Sequence, residues 1–315
     1  MRPALQNLDL VAFLFLAPLL LHGQQTVRES ARLDLRHGVP LVQVFLNHRG
    51  PFTFVVDTGT TSSAIVSSNV ASKLGLKTEG KEAITDLQGG PGRLLDYGIL
   101  ESLEIAGVEF KAVPAIFNQF PGSARHYDGI VGLQLFRDYL LTIDLHRRQL
   151  QVTAGRLSMV DPNVISFRMD IGIPTIMLRV QGYEVEGAID TGAPGLIIPE
   201  SLAKRLTFVQ SPTIIGLDET QVGQFQVKGG RMEGDIGFAT FNFEKPYIGI
   251  SSAFWISDLG AETFMDFSLT IDQRNQLVRF SSEKPTHSLG NPSKPKELQL
   301  PADTLMKTVM RTGAP

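Results

Sequence analysis

The chain is 315 residues long with a formal net charge of -3, which favours two domains or one large one and gives no general attraction to nucleic acid. It contains no cysteine, which excludes disulfide scaffolds, zinc ribbons, cysteine nucleophiles and iron–sulfur sites. The six histidines are scattered, with no pair at i, i+4, so we expect neither a metal nor another cofactor.

The N-terminal segment predicts export. An apolar run of 12 residues extends from Leu10 to Leu21, behind Arg2, and this length fits the core of a signal peptide but is too short to span a bilayer. We therefore expect residues 1–23 to be a signal peptide and the protein to be periplasmic or secreted. An uncleaved segment that anchors the protein to the membrane is the alternative.

Each half of the remaining chain begins with a predicted β-hairpin, followed by an aspartate and then a short helix. The predicted strands are 40–45 and 52–56 in the first half, and 176–180 and 183–189 in the second. The hairpins end at Asp57 and Asp190, where a strand gives way to a loop. The predicted helices are 69–74, capped by Ser67 or Ser68, and one that has Pro199 at its first position and continues over 200–206.

Internal similarity indicates a duplication. The stretch from Gly132 to Asp144 aligns without a gap with the stretch from Gly260 to Asp272, and both end in Thr-Ile-Asp. We therefore expect a lobe at 30–155 and a second at 160–282, both mostly β. The sequence becomes rich in proline and polar residues beyond them, which predicts a flexible tail at 283–315.

The triplet Asp-Thr-Gly occurs twice, at 57–59 and at 190–192. Each copy follows an apolar strand at a matching place in the repeated unit. One interpretation is a pair of ordinary turns after strands, since Asp and Gly are common turn residues. If a pseudo-two-fold axis relates the lobes, however, Asp57 and Asp190 face each other in one site.

Two carboxyls in close contact have a chemical use. They cannot both ionise easily, so one proton is shared between them. One carboxylate can then act as a base toward water and the other as an acid toward a carbonyl oxygen. Thr58 and Thr191 can hold the two loops together through hydroxyl-to-backbone hydrogen bonds. Gly59 and Gly192 permit a tight backbone and leave room for the water.

At these residues the chain resembles the aspartic proteases, and in detail a retropepsin-like unit repeated in a pepsin-like, two-lobed chain. Ile130-Val131-Gly132 is similar to the apolar-apolar-Gly triplet of that family. The resemblance implies an all-β, bilobal fold with two pseudo-symmetric β-barrel lobes and short helices. It also implies hydrolysis of a peptide or protein substrate in the cleft between lobes, by a monomer that acts as an intramolecular pseudo-dimer.

The second lobe departs from this pattern. Ser257-Asp258-Leu259-Gly260 stands where the second apolar triplet is expected, and Pro194 follows the second Asp-Thr-Gly. The glycine-rich segment 86–92 is the candidate for a flap that closes over substrate, with its counterpart near 216–230. The flap glycines are Gly89, Gly90 and Gly92.

Two alternatives to an active protease with an Asp57/Asp190 pair remain at this point. The departures in lobe two also suit a catalytically inactive peptide-binding or interaction module that keeps the fold. A dimer of chains could instead pair Asp57 with Asp57. Other hydrolase and nucleotide-binding classes lack support, because no Gly-x-Ser-x-Gly, phosphate-binding loop or His-Glu-x-x-His is present. Asp144 and Asp272 occupy repeated hairpin positions, which indicates a structural role.

Overall fold

The computed structural model describes residues 29–84, 93–120, 127–219 and 224–290, and the fold within them is all-β and bilobal. The first half contains β1 (Glu29–Arg32), β2 (Leu41–Leu46), β3 (Arg49–Asp57), β4 (Ala64–Ser67), α1 (Ser68–Leu74), β5 (Gly80–Ile84), β6 (Arg93–Ile105), β7 (Val108–Asn118), β8 (Gly129–Gly132), β9 (Leu140–Asp144) and β10 (Gln149–Thr153). The second half contains β11 (Val164–Ser166), β12 (Thr175–Val180), β13 (Tyr183–Ile189), β14 (Leu196–Pro199), α2 (Glu200–Ala203), β15 (Thr213–Glu219), β16 (Gln224–Arg231), β17 (Ile236–Phe238), β18 (Phe241–Phe243), β19 (Tyr247–Ser251), β20 (Ser257–Leu259), β21 (Ser268–Asp272), β22 (Leu277–Ser281) and β23 (Thr286–His287). Short 3₁₀ turns lie at Arg36–Gly38, Leu133–Phe136 and Ala261–Phe264.

Lobe one is a barrel. Its strands are ordered β2-β3-β8-β4-β7-β6-β5, and β2 also pairs with β6, so that the sheet closes on itself. Inward-facing residues such as Val42, Val44 and Leu46 alternate along β2 and are fully buried. The closed sheet therefore encloses its own apolar core.

Helix α1 follows the local sequence signals. The Ser67 hydroxyl accepts a hydrogen bond from the backbone N–H of Val70 at 3.2 Å, and Gly75 ends the helix with a φ of 67°. In lobe two the prediction was too long, because α2 ends at Ala203 rather than at Leu206. Its last turn tightens instead into i→i−3 hydrogen bonds, such as the one from the N–H of Arg205 to the carbonyl of Leu202 at 2.9 Å.

Lobe two repeats this strand order with one interruption. Its sheet runs β15-β16-β19-β14-β20-β13-β12-β17-β18-β23, and the run from β16 to β12 matches the run from β6 to β2. The long β6–β7 hairpin of lobe one corresponds to two shorter hairpin segments here. β16 and β17 take the place of β6, and β18 and β19 take the place of β7.

A third sheet joins the lobes. Its order is β1-β10-β9-β21-β22-β11, with three strands from each half. The central strands β9 and β21 are antiparallel and place Thr142 directly opposite Thr270, with the two hydroxyl oxygens 3.0 Å apart. The pseudo-two-fold axis therefore passes between these two threonines.

The predicted boundary of the tail at residue 283 is wrong. β23 pairs with β18, and His287 and Leu289 are buried at 5% and 7% exposure. The imidazole of His287 lies 4.4 Å from the Phe267 ring, with Nδ1 3.3 Å from the Asp266 carboxylate. These residues are part of lobe two because they pack over its phenylalanine-rich core. The predicted signal peptide and the rest of the predicted tail lie outside the described residues.

Candidate active site

The two Asp-Thr-Gly loops meet at the axis between the lobes. Asp57 ends β3, where it lies opposite Gly132 of the parallel strand β8. In lobe two the ladder between β13 and β20 continues by one hydrogen bond, from the N–H of Asp190 to the carbonyl of Leu259 at 3.0 Å. Equivalent strand pairs thus deliver the two aspartates, hereafter the dyad, to equivalent places.

A symmetric set of hydrogen bonds binds the two loops together. The N–H of Thr58 donates to the hydroxyl of Thr191 at 3.2 Å, and the N–H of Thr191 donates to the hydroxyl of Thr58 at 3.0 Å. Each hydroxyl donates in turn to a carbonyl of the opposite lobe at 2.7 Å, that of Ile189 for Thr58 and that of Val56 for Thr191. Both threonines are fully buried, so these bonds fix the loops relative to each other without competition from water.

The two glycines make room for the opposite carboxyl. A Cβ atom on Gly59 would overlap the carboxyl group of Asp190, and a Cβ atom on Gly192 would overlap that of Asp57. Each carboxyl therefore lies directly against the backbone of the other lobe. Neither glycine has a positive φ, so the need at these positions is for space rather than for an unusual backbone conformation.

Asp57 holds a proton more tightly than an ordinary aspartate. Burial raises its pKa well above the usual value, and the charge and hydrogen bond of Asp190 raise the pKa further. Backbone N–H groups of Gly59 and Thr60 act in the opposite direction, with the Gly59 bond at 2.8 Å. Because the raising effects win, the dyad keeps a proton at a pH where a separate, exposed aspartate would have lost it.

The pKa of Asp190 is also raised above the ordinary value. Burial raises its pKa as well, while the hydrogen bond from Asp57 and two backbone N–H groups lower it. Those donors belong to Gly192 and Ala193, at 2.8 and 3.2 Å from Oδ1. Both aspartates remain only half-buried, so solvent reaches a pair that is mostly surrounded by protein.

The second triplet is closer to the first than its sequence suggests. β20 lies parallel to β13 as β8 lies parallel to β3, which makes Asp258-Leu259-Gly260 the counterpart of Ile130-Val131-Gly132. Only the first apolar position differs. The N–H of Gly260 donates to the carbonyl of Gly195 at 2.9 Å, so the glycine threads beside the loop in lobe two as well.

Pro194 does not displace the loop. Its carbonyl accepts from the N–H of Glu262 at 2.8 Å, and the neighbouring carbonyl of Ala193 accepts from Ala261 at the same distance. Proline has a fixed φ and lacks an N–H, and both of these bonds use backbone carbonyls of the loop as acceptors, so neither needs an N–H from Pro194.

The candidate flap is described only in its arms. Gly89, Gly90 and Gly92 lie outside the described residues, as does the tip of the corresponding hairpin in lobe two at 220–223. The arms of both hairpins are described. They are β5 and β6 in lobe one, and β15 and β16 in lobe two.

Other residues considered from the sequence lie elsewhere. Asp144 and Asp272 each accept the N–H of the residue three positions later, Arg147 at 2.7 Å and Asn275 at 3.2 Å, which is the hydrogen bond of a turn. Within the described ranges, no group of three or more His, Cys, Asp and Glu side chains is placed to hold a metal ion.

Sequence reasoning missed the second donor at each carboxyl. Thr60 and Ala193 follow the two Asp-Thr-Gly triplets and present their N–H groups to Asp57 and Asp190. The backbone supplies these bonds, so the residue types at the two positions carry no signal. The only available signal for these donors is that both residues directly follow an Asp-Thr-Gly triplet.

Comparison with known proteins agrees with this geometry. Residues 42–135 match a family model described as aspartyl protease, which confirms the resemblance to the aspartic, retropepsin-like proteases. The matched segment runs from β2 to the turn after β8 and includes Asp57. No curated protein matches the chain. Over the described residues, no helix combines the length and apolar character needed to cross a membrane.

Proposed function

We propose that this chain, which is of the aspartyl protease type in its matched first lobe, is an endopeptidase that hydrolyses peptide bonds with a water activated jointly by Asp57 and Asp190. The family match supports a protease in general. The observation that carries the specific proposal is the approach of the two carboxyls across the axis, with the pKa of Asp57 raised well above its ordinary value.

One proton shared between two carboxyls allows the dyad to act as a base and as an acid in the same step. Asp190, as the carboxylate, takes a proton from water while the water oxygen attacks the carbonyl carbon of the substrate. Asp57 donates its proton to the carbonyl oxygen, which gives a neutral tetrahedral diol. As the C–N bond breaks, the leaving nitrogen takes the proton from Asp190, and a hydroxyl of the diol returns its proton to Asp57 as the carbonyl group forms, so that the dyad again shares one proton. No metal and no covalent intermediate takes part.

The same proposal covers the internal organisation, the location and the partner of the protein. The matching strand orders of the lobes support an internal duplication, and the interlobe dyad supports a monomer that acts as a pseudo-dimer. We infer export to the periplasm or beyond from residues 1–23, and a peptide or protein as the partner rather than a nucleic acid.

Replacing either aspartate by asparagine tests the proposal. Asp57→Asn and Asp190→Asn should each lower kcat/KM on a fluorogenic peptide library by about 10³-fold or more between pH 3 and 8. Asp170→Asn is the matched control, because that carboxyl is on the surface with its side chain 61% exposed. It should keep its activity within about twofold.

Three results would count against the proposal. Full activity in either dyad variant would remove the mechanism. Activity that needs Asp57, is indifferent to Asp190 and rises with protein concentration would favour pairing between two chains. Peptide binding by the wild-type protein without any turnover would favour the inactive binding module.

A further inference from the structure

A short turn leads into the catalytic hairpin of each lobe, and the two turns repeat in sequence. The stretch from Asp34 to Leu41 reads Asp-Leu-Arg-His-Gly-Val-Pro-Leu, and the stretch from Arg168 to Thr175 reads Arg-Met-Asp-Ile-Gly-Ile-Pro-Thr. Both contain a glycine, a branched aliphatic residue and a proline at the same places. We call these two stretches the Gly-x-Pro turns.

Each Gly-x-Pro turn is closed by backbone hydrogen bonds at its base and at its tip. At the base, the first and last residues of the turn pair with each other as an antiparallel bridge. At the tip, the N–H of Gly38 donates to the carbonyl of Leu35 at 3.3 Å, and the N–H of Gly172 donates to the carbonyl of Met169 at 2.9 Å. Both glycines are left-handed, with φ of 76° and 81°, a conformation that is strained for residues with a Cβ atom. The two turns therefore share one backbone shape.

The proline of each turn is bound to the strand that carries the aspartate of the same lobe. The carbonyl of Pro40 accepts from the N–H of Val56 at 2.9 Å, and the carbonyl of Pro174 accepts from the N–H of Ile189 at 2.9 Å. Val56 and Ile189 directly precede the two aspartates of the dyad, and their own carbonyls accept the threonine hydroxyls that bind the loops together. Each turn is thus anchored to its own lobe one residue away from a catalytic carboxyl.

The glycine of each turn lies against the catalytic loop of the opposite lobe. A Cβ atom on Gly172 would be 2.7 Å from Cγ2 of Thr61, and a Cβ atom on Gly38 would be 3.4 Å from Cβ of Pro194. Thr61 and Pro194 occupy equivalent places, because each is the second residue after its Asp-Thr-Gly triplet. Each turn therefore joins the catalytic segments of both lobes, its own through the proline and the opposite one through the glycine.

The contact at Thr61 is one residue away from a donor to the dyad. The N–H of Thr60 donates a hydrogen bond to the carboxyl of Asp57, so a shift of Thr61 moves this donor as well. In lobe two, the N–H of Ala193 donates to the other carboxyl of the dyad at 3.2 Å and is next to Pro194. The Gly-x-Pro turns are therefore placed to control how each carboxyl is held.

We propose that Gly38 and Gly172 are positioning residues, each of which holds the catalytic loop and carboxyl of the opposite lobe in place for the reaction. This inference rests on the proposed peptidase function. It gives the dyad a second support between the lobes, in addition to the hydrogen bonds of the two threonines. Glycine is required at both positions because a side chain would strain the turn and press on the loop of the other lobe.

A comparison of Gly172→Ala with Gly182→Ala separates the contact between lobes from backbone strain. Gly182 belongs to the same lobe and is also left-handed, with a φ of 85°, but a Cβ atom on it would meet nothing within 4 Å. Gly172→Ala should lower kcat on a cleaved peptide by about tenfold or more and change KM by less than about twofold. Gly182→Ala should keep both constants within about twofold of the wild type. Equal effects of the two substitutions would overturn the inference.

Removing one methyl group from Thr61 should relieve the clash. Thr61→Ser lacks the Cγ2 atom, and the next atom of that side chain, Cβ, would be 3.8 Å from the new Cβ atom at position 172, which is an ordinary contact distance. The double variant Gly172→Ala/Thr61→Ser should therefore recover kcat to within about threefold of Thr61→Ser alone. A double variant that stays as slow as Gly172→Ala would contradict the interlobe contact as the cause of the loss.

Titration of Asp57 separates this inference from the peptidase proposal, because it needs no turnover. The N–H of Thr60 lowers the pKa of Asp57, so displacement of its loop in Gly172→Ala should raise that pKa further, whereas Gly182→Ala should leave it as in the wild type. Carbon-13 NMR of the aspartate carboxyls measures the difference. A rise confined to Gly172→Ala, in a protein that cleaves nothing, would refute the peptidase and keep the positioning role. A pKa that is the same in both variants would contradict the positioning role, even where turnover requires the dyad.

Discussion

The two lobes are nearly identical where their loops meet and differ strongly on the faces just beside those loops. At the axis, Thr58 and Thr191 exchange matched hydrogen bonds. β8 of lobe one and β20 of lobe two occupy equivalent places beside these loops. Ile130 on β8 is aliphatic, whereas its counterpart on β20 is the carboxyl-bearing Asp258. Residues at the axis must fit the other lobe, so a change in one needs a matching change in its partner. Ile130 and Asp258 pair with strands of their own lobe, so each can diverge alone.

The glycines that lie against the dyad provide the most severe test of whether the two lobes are equivalent at the axis. Gly59→Ala and Gly192→Ala should each lower kcat/KM by about 100-fold or more, because the added methyl group displaces the carboxyl of the opposite lobe. Peptide hydrolysis measures the effect. Gly290→Ala is the control, since its Cβ would meet nothing within 4 Å. Two unequal losses would show that the lobes contribute differently, and full activity in either variant would contradict the geometry.

The threonines test the same equivalence through stability. Thr191→Val keeps the shape but removes the hydroxyl that serves both the N–H of Thr58 and the carbonyl of Val56. Leaving these buried groups unpaired should lower the free energy of unfolding by about 2–4 kcal/mol, as measured by urea denaturation. Thr58→Val should behave alike.

Thr142→Val is the control for the threonine series, because it lies on the same axis but is only half-buried and shares a single hydroxyl contact with Thr270. It should cost at most about 1 kcal/mol. If Thr191→Val lowers the free energy of unfolding by no more than this, the hydrogen bonds between the two loops do not stabilise the fold.

The pH dependence of stability sharpens the contrast between Asp57 and an ordinary carboxyl. Since the pKa of Asp57 is raised in the folded state, the folded protein binds more protons than the unfolded chain above the ordinary aspartate pKa. Stability should therefore be greatest below that value and fall as the pH rises through the folded pKa, by about 1.4 kcal/mol for each unit of upward shift.

Asp57→Asn should remove most of this decline and be more stable than the wild type at neutral pH. Thermal unfolding of both proteins between pH 3 and 8 measures the difference. A wild-type protein that gains stability as the pH rises over that range, by an amount that Asp57→Asn abolishes, would have the opposite sign and refute the raised pKa.

Local signals in the sequence were enough for much of the fold. Alternating residues predict the hairpins that end at Asp57 and Asp190, and Ser67 with Gly75 marks the ends of α1. These features depend on neighbours within a few residues. The end of lobe two does not, because His287 packs against Phe241, Phe243 and Phe267, which are distant in the chain. A segment rich in proline gives no sign of such partners.

The site was predictable in its residues and only partly in its surroundings. The repeated Asp-Thr-Gly triplet identifies both carboxyls without knowledge of any contact. By contrast, Asp258 reads in the sequence as an erosion of an apolar triplet. Its place between Ala188 and Ile197 follows only from the register of β20 against β13 and β14. Strand register joins residues far apart in the chain, so no local pattern carries it.

The sharing of one proton across the lobes is best tested by titrating Asp57 itself. Carbon-13 NMR of protein labelled at the aspartate carboxyl groups, with Asp57→Asn for assignment, gives its pKa in the wild type and in Asp190→Asn. We predict a wild-type pKa well above the ordinary value, raised first by burial and then by the charge and hydrogen bond of Asp190, so that replacing Asp190 lowers it. An ordinary wild-type pKa, or one that Asp190→Asn leaves unchanged, would contradict a shared dyad.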